Sequence, residues 1–148
     1  MTIIHTIGFT KKSLRDFIAL LRSGGIETVI DVRLRNTSQL AGWSKFPDFP
    51  YLLAEGFGIA YEHHPEFAPT AGLLDRYKKD RNWPGYERDF VRLMAERGLE
   101  QDGLDVLSKR NICLLCTEER ADKCHRRLVA EYLLAVSGHN GGVDIRHL

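Results

Sequence analysis

The chain has 148 residues, 43% of them apolar, with 21 lysine and arginine residues against 20 aspartate and glutamate and a formal net charge of +1. That length suits one domain over 1–148 with a core large enough to need no disulfide support. The near-neutral balance excludes wholesale attraction to nucleic acid or membrane, and no apolar run approaches a membrane span, so any polyanion must be met by a local basic patch. Three cysteines, an odd number, in a chain without a cationic-then-apolar leader point to the reducing cytoplasm rather than to a secreted scaffold.

From the amino end, Ile3 to Ile7 followed by Gly8 reads as a strand. Ser13 then caps a helix whose apolar residues Leu14, Phe17, Ile18, Leu20 and Leu21 recur at helical spacing. Gly24-Gly25 ends that helix, and the β-branched run 28–33 follows as a second strand, the order of a right-handed parallel crossover. Residues 34–48 have no period and predict a long loop, the kind that is functional or disordered. A short helix is expected at 50–55 and a third strand at 59–63, its regularity ended by Pro65. Helices are expected at 70–78 and 85–97, the second with Tyr86, Phe90, Leu93 and Met94 on one side and Gly98 as its stop. After a short segment at 104–107, the apolar run from Ile112 to Leu115 predicts a buried fourth strand. A helical period resumes at Leu128, Val129, Tyr132, Leu133 and Val136, and 143–147 closes the chain as a strand. The alternation predicts a single three-layer α/β domain with a mostly parallel central sheet, Rossmann-like, whose ligands bind where the strands end.

The residues that carry chemistry sit at those strand ends. If Asp122 caps the last helix, Cys124 and His125 occupy its first turn, where free N–H groups favour an anion or a thiolate. Cys124 then reads as a nucleophile or as a half-buried thiol. Equally, the amides, His125 and Arg126 could form a phosphate or carboxylate site, with Arg127 a solvated residue pairing with Glu118, Glu119 or Glu131. Cys116 leaves the fourth strand two residues before Glu118, so a thiol and a carboxylate could face one crevice. Zinc on Cys116, Glu118, Cys124 and His125 fits no common structural spacing, and adjacent side chains at a helix start diverge by about 100°. Neither a metal ligand set nor a cofactor is therefore expected. Cys113 and His5 read as core residues.

Asp31, Arg33 and Arg35 end the second strand, either as an acid/base group beside cations or as an internal ion pair. Trp43 with Lys45 and Phe46 could stack on a base. In the run leaving the third strand, alternation lets only one of His63 and His64 face a site, and His64 is nearer the strand end. A phosphatase or rhodanese loop is also testable by spacing. Cys116 has Arg120 four residues on and Asp122 six on, where a phosphatase loop wants arginine at six, and the wrapping glycine is missing.

Thr6-Ile7-Gly8, the run from Asp31-Val32-Arg33 to Ala41-Gly42, Ala68-Pro69-Thr70, Trp83 with Tyr86-Glu87, and Leu115-Cys116-Thr117-Glu118 before Cys124-His125-Arg126 together resemble the family called domain of unknown function 488. The resemblance covers nearly the whole chain. It implies an α/β domain whose characteristic residues are Asp31, Arg33, Cys116, Glu118, Cys124, His125 and Arg126. Many members carry histidine directly after Thr-Ile-Gly, where this chain has Phe9, so a mechanism needing that histidine would have to draw on His5 or His64.

The leading expectation is a cytoplasmic enzyme, a hydrolase or transferase, acting on a phosphate-bearing small molecule or nucleic acid in a crevice at the strand carboxyl ends. The helix start at Cys124-His125-Arg126 would bind the anion, with Arg33, Arg35 and His64 on the substrate. Asp31 or Glu118 would be the acid/base group, and Cys116 or Cys124 a nucleophile. The alternatives are a noncatalytic nucleotide or nucleic-acid binding module, which would use the same arginines and Trp43, and a metal-binding protein.

Overall fold

The computed structural model describes residues 2–37, 42–138 and 142–148. Ser38 and Gln39 of the predicted polar loop lie outside the described residues. Strand β1 (Thr2–Gly8) leads to helix α1 (Leu14–Ser23), which starts where the Ser13 hydroxyl accepts from the Asp16 amide and stops at Gly24. Strand β2 (Thr28–Asp31) is shorter than its β-branched run. The Arg33 amide turns away to bond the Asp31 carboxylate at 3.0 Å, which ends the ladder. Helix α2 (Asp48–Tyr51) runs on into a wide turn at Leu52–Gly56, and strand β3 spans Ala60–His63. Helix α3 (Ala71–Asp80) is capped by Thr70 and α4 (Trp83–Arg97) by Asn82, with Pro84 in the first turn where a missing N–H costs nothing. The short segment predicted at 104–107 is the end of a full helix, α5 (Glu100–Leu107). Strand β4 (Ile112–Cys116), helix α6 (His125–Val136) and strand β5 (Val143–His147) complete the chain.

The five strands are all parallel in the order β3-β2-β4-β1-β5. Alternation along the strands builds two cores. On one face Ile7, Val29, Cys113 and Leu115 pack with Phe17, Ile18 and Leu21 of α1 and with Phe49 and Leu53. On the other, Ile4, Ile30, Ile112 and Leu114 pack with Phe90 and Met94 of α4, Val106 of α5, and Leu128, Val129 and Leu133 of α6. Each fully buried Phe or Leu contributes about 1.5–3 kcal/mol. This is a three-layer α/β domain, its sheet parallel throughout where a mostly parallel one was expected.

The topology also decides where a cavity opens. From β1 and β2 the chain departs across the α1–α2 face, whereas from β4, which lies between them, it departs across the opposite face. Neighbouring strands that leave in opposite directions cannot fill the space over their carboxyl ends, which makes the β1/β4/β2 edge the topological switch point. No helix among the described residues is long and apolar enough to cross a membrane.

Candidate functional site

A cavity of about 300 Å³ lies at that switch point. Its floor is built by the end of β4 and the start of α6, where Cys116, Cys124 and His125 meet. Their ligand-capable atoms all lie within 4.8 Å of one another, and all three residues are buried. The helix does not begin as the sequence suggests. Cys124, not Asp122, is the N-cap, in extended conformation at φ −137° and ψ 139°, and α6 starts at His125. The 100° divergence expected of adjacent residues holds only inside a helix. An extended cap followed by a helical residue instead sends both side chains to one point.

The imidazole is oriented by β2. His125 Nε2 donates to the Val32 carbonyl at 2.7 Å, which leaves Nδ1 3.5 Å from Cys116 Sγ, and the Phe90 ring packs against the imidazole at 5.6 Å. The two thiols are driven apart electrostatically. Burial opposes ionisation of Cys124, yet hydrogen bonds from Cys116 and His125 and the charges of His125 and Arg126 outweigh it and hold Cys124 well below the usual thiol range. The same hydrogen bond with Cys124, together with burial, pushes Cys116 well above it. Low-dielectric surroundings make one shared negative charge far cheaper than two.

Above the floor the wall is cationic and aromatic. Arg33 and Arg35 come from the end of β2, Lys78 from α3, Arg81 from the α3–α4 turn and Lys123 from the loop before α6, with Glu118 the one carboxylate among the described lining residues. Tyr77, Trp83 and Tyr86 supply its aromatic part. Trp83 stacks on Tyr86 with centroids 5.2 Å apart, Tyr77 lies 5.0 Å from Tyr86, and the Arg81 guanidinium sits 6.0 Å above the Tyr77 ring. Burial, then the nearby thiols, push the Tyr86 phenol upward, so it stays protonated.

Arg33 is 2% exposed. Its Nε and Nη2 clasp both carboxylate oxygens of Asp31, and Nη2 also donates to the Ser44 carbonyl. Nη1 is buried without a partner among the described residues, although Arg33 lines the cavity. Asp31 itself is sealed. It faces the α1–α2 side, where Tyr61 donates to it and the Phe9 and Phe49 rings flank the Arg33 guanidinium. The carboxylate expected to be an acid/base group is therefore the inner half of an ion pair and does not reach the cavity.

Other expected contacts are also redistributed. His64 is held between Glu66 at 2.5 Å and Glu62 at 3.1 Å, away from the cavity, because the strand end turns it outward. Its neighbour His63 is the supporting one, donating to the Arg33 carbonyl at 2.7 Å. Arg126 is fully buried, its guanidinium bound to Thr6 Oγ1 and to the Glu118 and Glu119 carbonyls, so it holds the loop rather than lining the cavity. Arg127 pairs with Glu131 and Glu87. Trp43, partly buried, packs on Phe17 at 4.9 Å against the first core and is not among the described residues lining the cavity. Phe9 belongs to that same core.

Of the expected residues, Arg33, Arg35, Cys116, Glu118, Cys124 and His125 meet around one cavity. Tyr77, Lys78, Arg81, Trp83, Tyr86 and Lys123 join them without having been singled out as site residues. The sequence signal for that wall was Trp83 with Tyr86-Glu87 among the motifs of the family resemblance, residues that equally suit a helix packing face.

The fold and this cavity define a parallel α/β protein with a thiol–thiol–imidazole floor at the strand carboxyl ends. The chain belongs to the family described as domain of unknown function DUF488, whose sequence model matches residues 13–133. That stretch contains every residue of the floor and wall. No curated protein and no solved structure matches the chain.

Proposed function

We propose that the protein is an enzyme acting on a phosphate-bearing substrate with an aromatic part, a nucleotide or a nucleotide unit of a nucleic acid. The observation that carries this reading is the composition of the wall, four cationic side chains, Arg35, Lys78, Arg81 and Lys123, against one carboxylate beside three aromatic rings, with Arg33 behind them already paired to Asp31, in a chain whose overall charge is near zero. Such a concentration of one sign in a recess focuses the field on an anion, and the rings offer a face for a base. Glu118, as the carboxylate on the wall, serves as the acid/base group. Cys116 and Cys124 meet the reacting atoms from the floor.

Calorimetric titration with 5′-mononucleotides, each beside its unphosphorylated nucleoside, tests the binding half. Phosphorylated ligands should bind and nucleosides should bind at least about tenfold more weakly, with Arg81→Glu and Lys123→Glu each costing a further factor of about ten. Product analysis after incubation with mononucleotides and short single strands tests the enzymatic half, with Glu118→Gln expected to keep binding and lose turnover by about 10²–10⁴. Binding without turnover of any of these ligands would leave a noncatalytic module in place of an enzyme. Equal affinity for nucleosides and nucleotides would remove the phosphate from the reading.

A further inference from the structure

We propose that Cys116, Cys124 and His125 form a site for a thiophilic divalent metal ion of the zinc class, with its fourth coordination position open to the cavity. Three buried residues converging within 4.8 Å already present two sulfurs and one imidazole nitrogen around a common point. The Cys116 Sγ to His125 Nδ1 separation is 3.5 Å. Two ligands at ordinary zinc–sulfur and zinc–nitrogen lengths, set at the tetrahedral angle, lie about 3.6 Å apart, so the spacing suits one ion, and because Nε2 lies 3.7 Å from the same sulfur the imidazole must rotate to aim Nδ1 at it.

The hydrogen bond behind the imidazole has the matching form. A carbonyl accepts only, so His125 Nε2 carries the proton it gives to Val32, and Nδ1 is the nitrogen left on the thiol side, able to ligate once its own proton is displaced by a metal ion. A ligating histidine held through its other nitrogen by a backbone carbonyl is the usual outer support of a metal centre. Thiolate donors select zinc, copper(I) or iron over magnesium and calcium. Three protein ligands with a vacant fourth position are the pattern of catalytic rather than structural zinc. All three residues line the cavity, so that position faces the phosphate-binding wall.

The metal site deepens the proposed function without depending on nucleotide binding, and the test keeps the two apart. The full chain is stripped with chelator under reducing conditions and titrated with Co²⁺ alone. One equivalent should bind with thiolate-to-cobalt charge-transfer absorption and the visible bands of tetrahedral cobalt, displaced by one equivalent of Zn²⁺. Cys116→Ser, Cys124→Ser and His125→Asn should each weaken Co²⁺ binding at least about a hundredfold and reduce or shift the charge-transfer band. Cys113→Ala, which alters a thiol on the opposite sheet face, should leave the spectrum unchanged. Circular dichroism of each variant separates loss of the site from loss of the fold. Absence of a stoichiometric cobalt complex in the folded wild type, or the same spectrum from Cys116→Ser/Cys124→Ser, would overturn the metal site. Nucleotide titration of the stripped protein is read separately, so failure of one result leaves the other standing.

Discussion

At the residue scale, the Asp31–Arg33 pair separates a chemical role from a positioning role. Asp31 is wholly buried and gives both oxygens to Arg33, one of them also accepting from Tyr61, so its charge is neutralised before any substrate arrives. Burial, then the adjacent carboxylate, push the Tyr61 phenol upward, which keeps it a donor to Asp31. A buried pair broken on one side leaves an uncompensated charge. Asp31→Asn is accordingly expected to lower stability by about 3–5 kcal/mol, measured by urea denaturation. Asp31→Glu should recover little, since the bidentate clasp needs the shorter side chain. A loss below about 1 kcal/mol for Asp31→Asn would mean that Arg33 is held by other contacts.

At the element scale, the loop between β4 and α6 is fastened on both sides, to the segment that follows β1 and to its own helix. Thr10 bonds the Thr117 carbonyl through its amide at 3.1 Å and its hydroxyl at 2.6 Å, while Arg126 reaches back from α6 to the Glu118 and Glu119 carbonyls. Gly8, at the end of β1, lies directly beneath that loop. A Cβ there would fall 1.6 Å from the Glu118 carbonyl oxygen, a backbone atom that cannot swing away. The requirement is closeness of approach, not an unusual φ. Gly8→Ala should therefore cost about 3 kcal/mol or more in thermal or urea unfolding, at the upper end of overpacking effects. It should also weaken nucleotide binding, because the Cys116–Glu118 segment must move. A stable Gly8→Ala protein with unaltered binding would show that the loop is free to lift.

At the scale of the whole molecule, the two faces of the sheet have different tasks, and one carries a pH signature. His5 points from β1 toward α1, its ring against Gly24 and its Nδ1 buried without a partner among the described residues. Burial, then the nearby Arg146, lower its pKa from the ordinary 6.5, with the Ile112 backbone and Asp144 opposing. The unfolded chain therefore takes up a proton at a pH where the folded chain resists it. The stabilising contribution is complete above 6.5 and is lost as pH falls through the depressed folded value. Stability measured by urea midpoint should decline between about pH 7 and pH 5, and His5→Leu should flatten part of that slope. An unchanged slope in His5→Leu would assign it to His147, also lowered, by burial and then by Arg126 and Arg127.

The architecture was legible in the sequence because helix and strand periods are short-range. Ser13, Thr70 and Gly98 mark their helix ends by local chemistry, and Ile112 to Leu115 reads as buried on both sides because it is a central strand. Cys116, Cys124 and His125 could be picked out for the same reason, as polar residues at a strand-to-helix junction. Their convergence was not legible: it depends on Cys124 being an extended cap instead of a helical residue, a difference of backbone angle that no spacing encodes. Nor could the sequence say that Asp31 and the thiols lie on opposite sides of the sheet, or that Tyr77, Arg81 and Trp83 close the wall. Those follow from strand order and the direction in which each strand departs, long-range properties fixed only when the two cores pack.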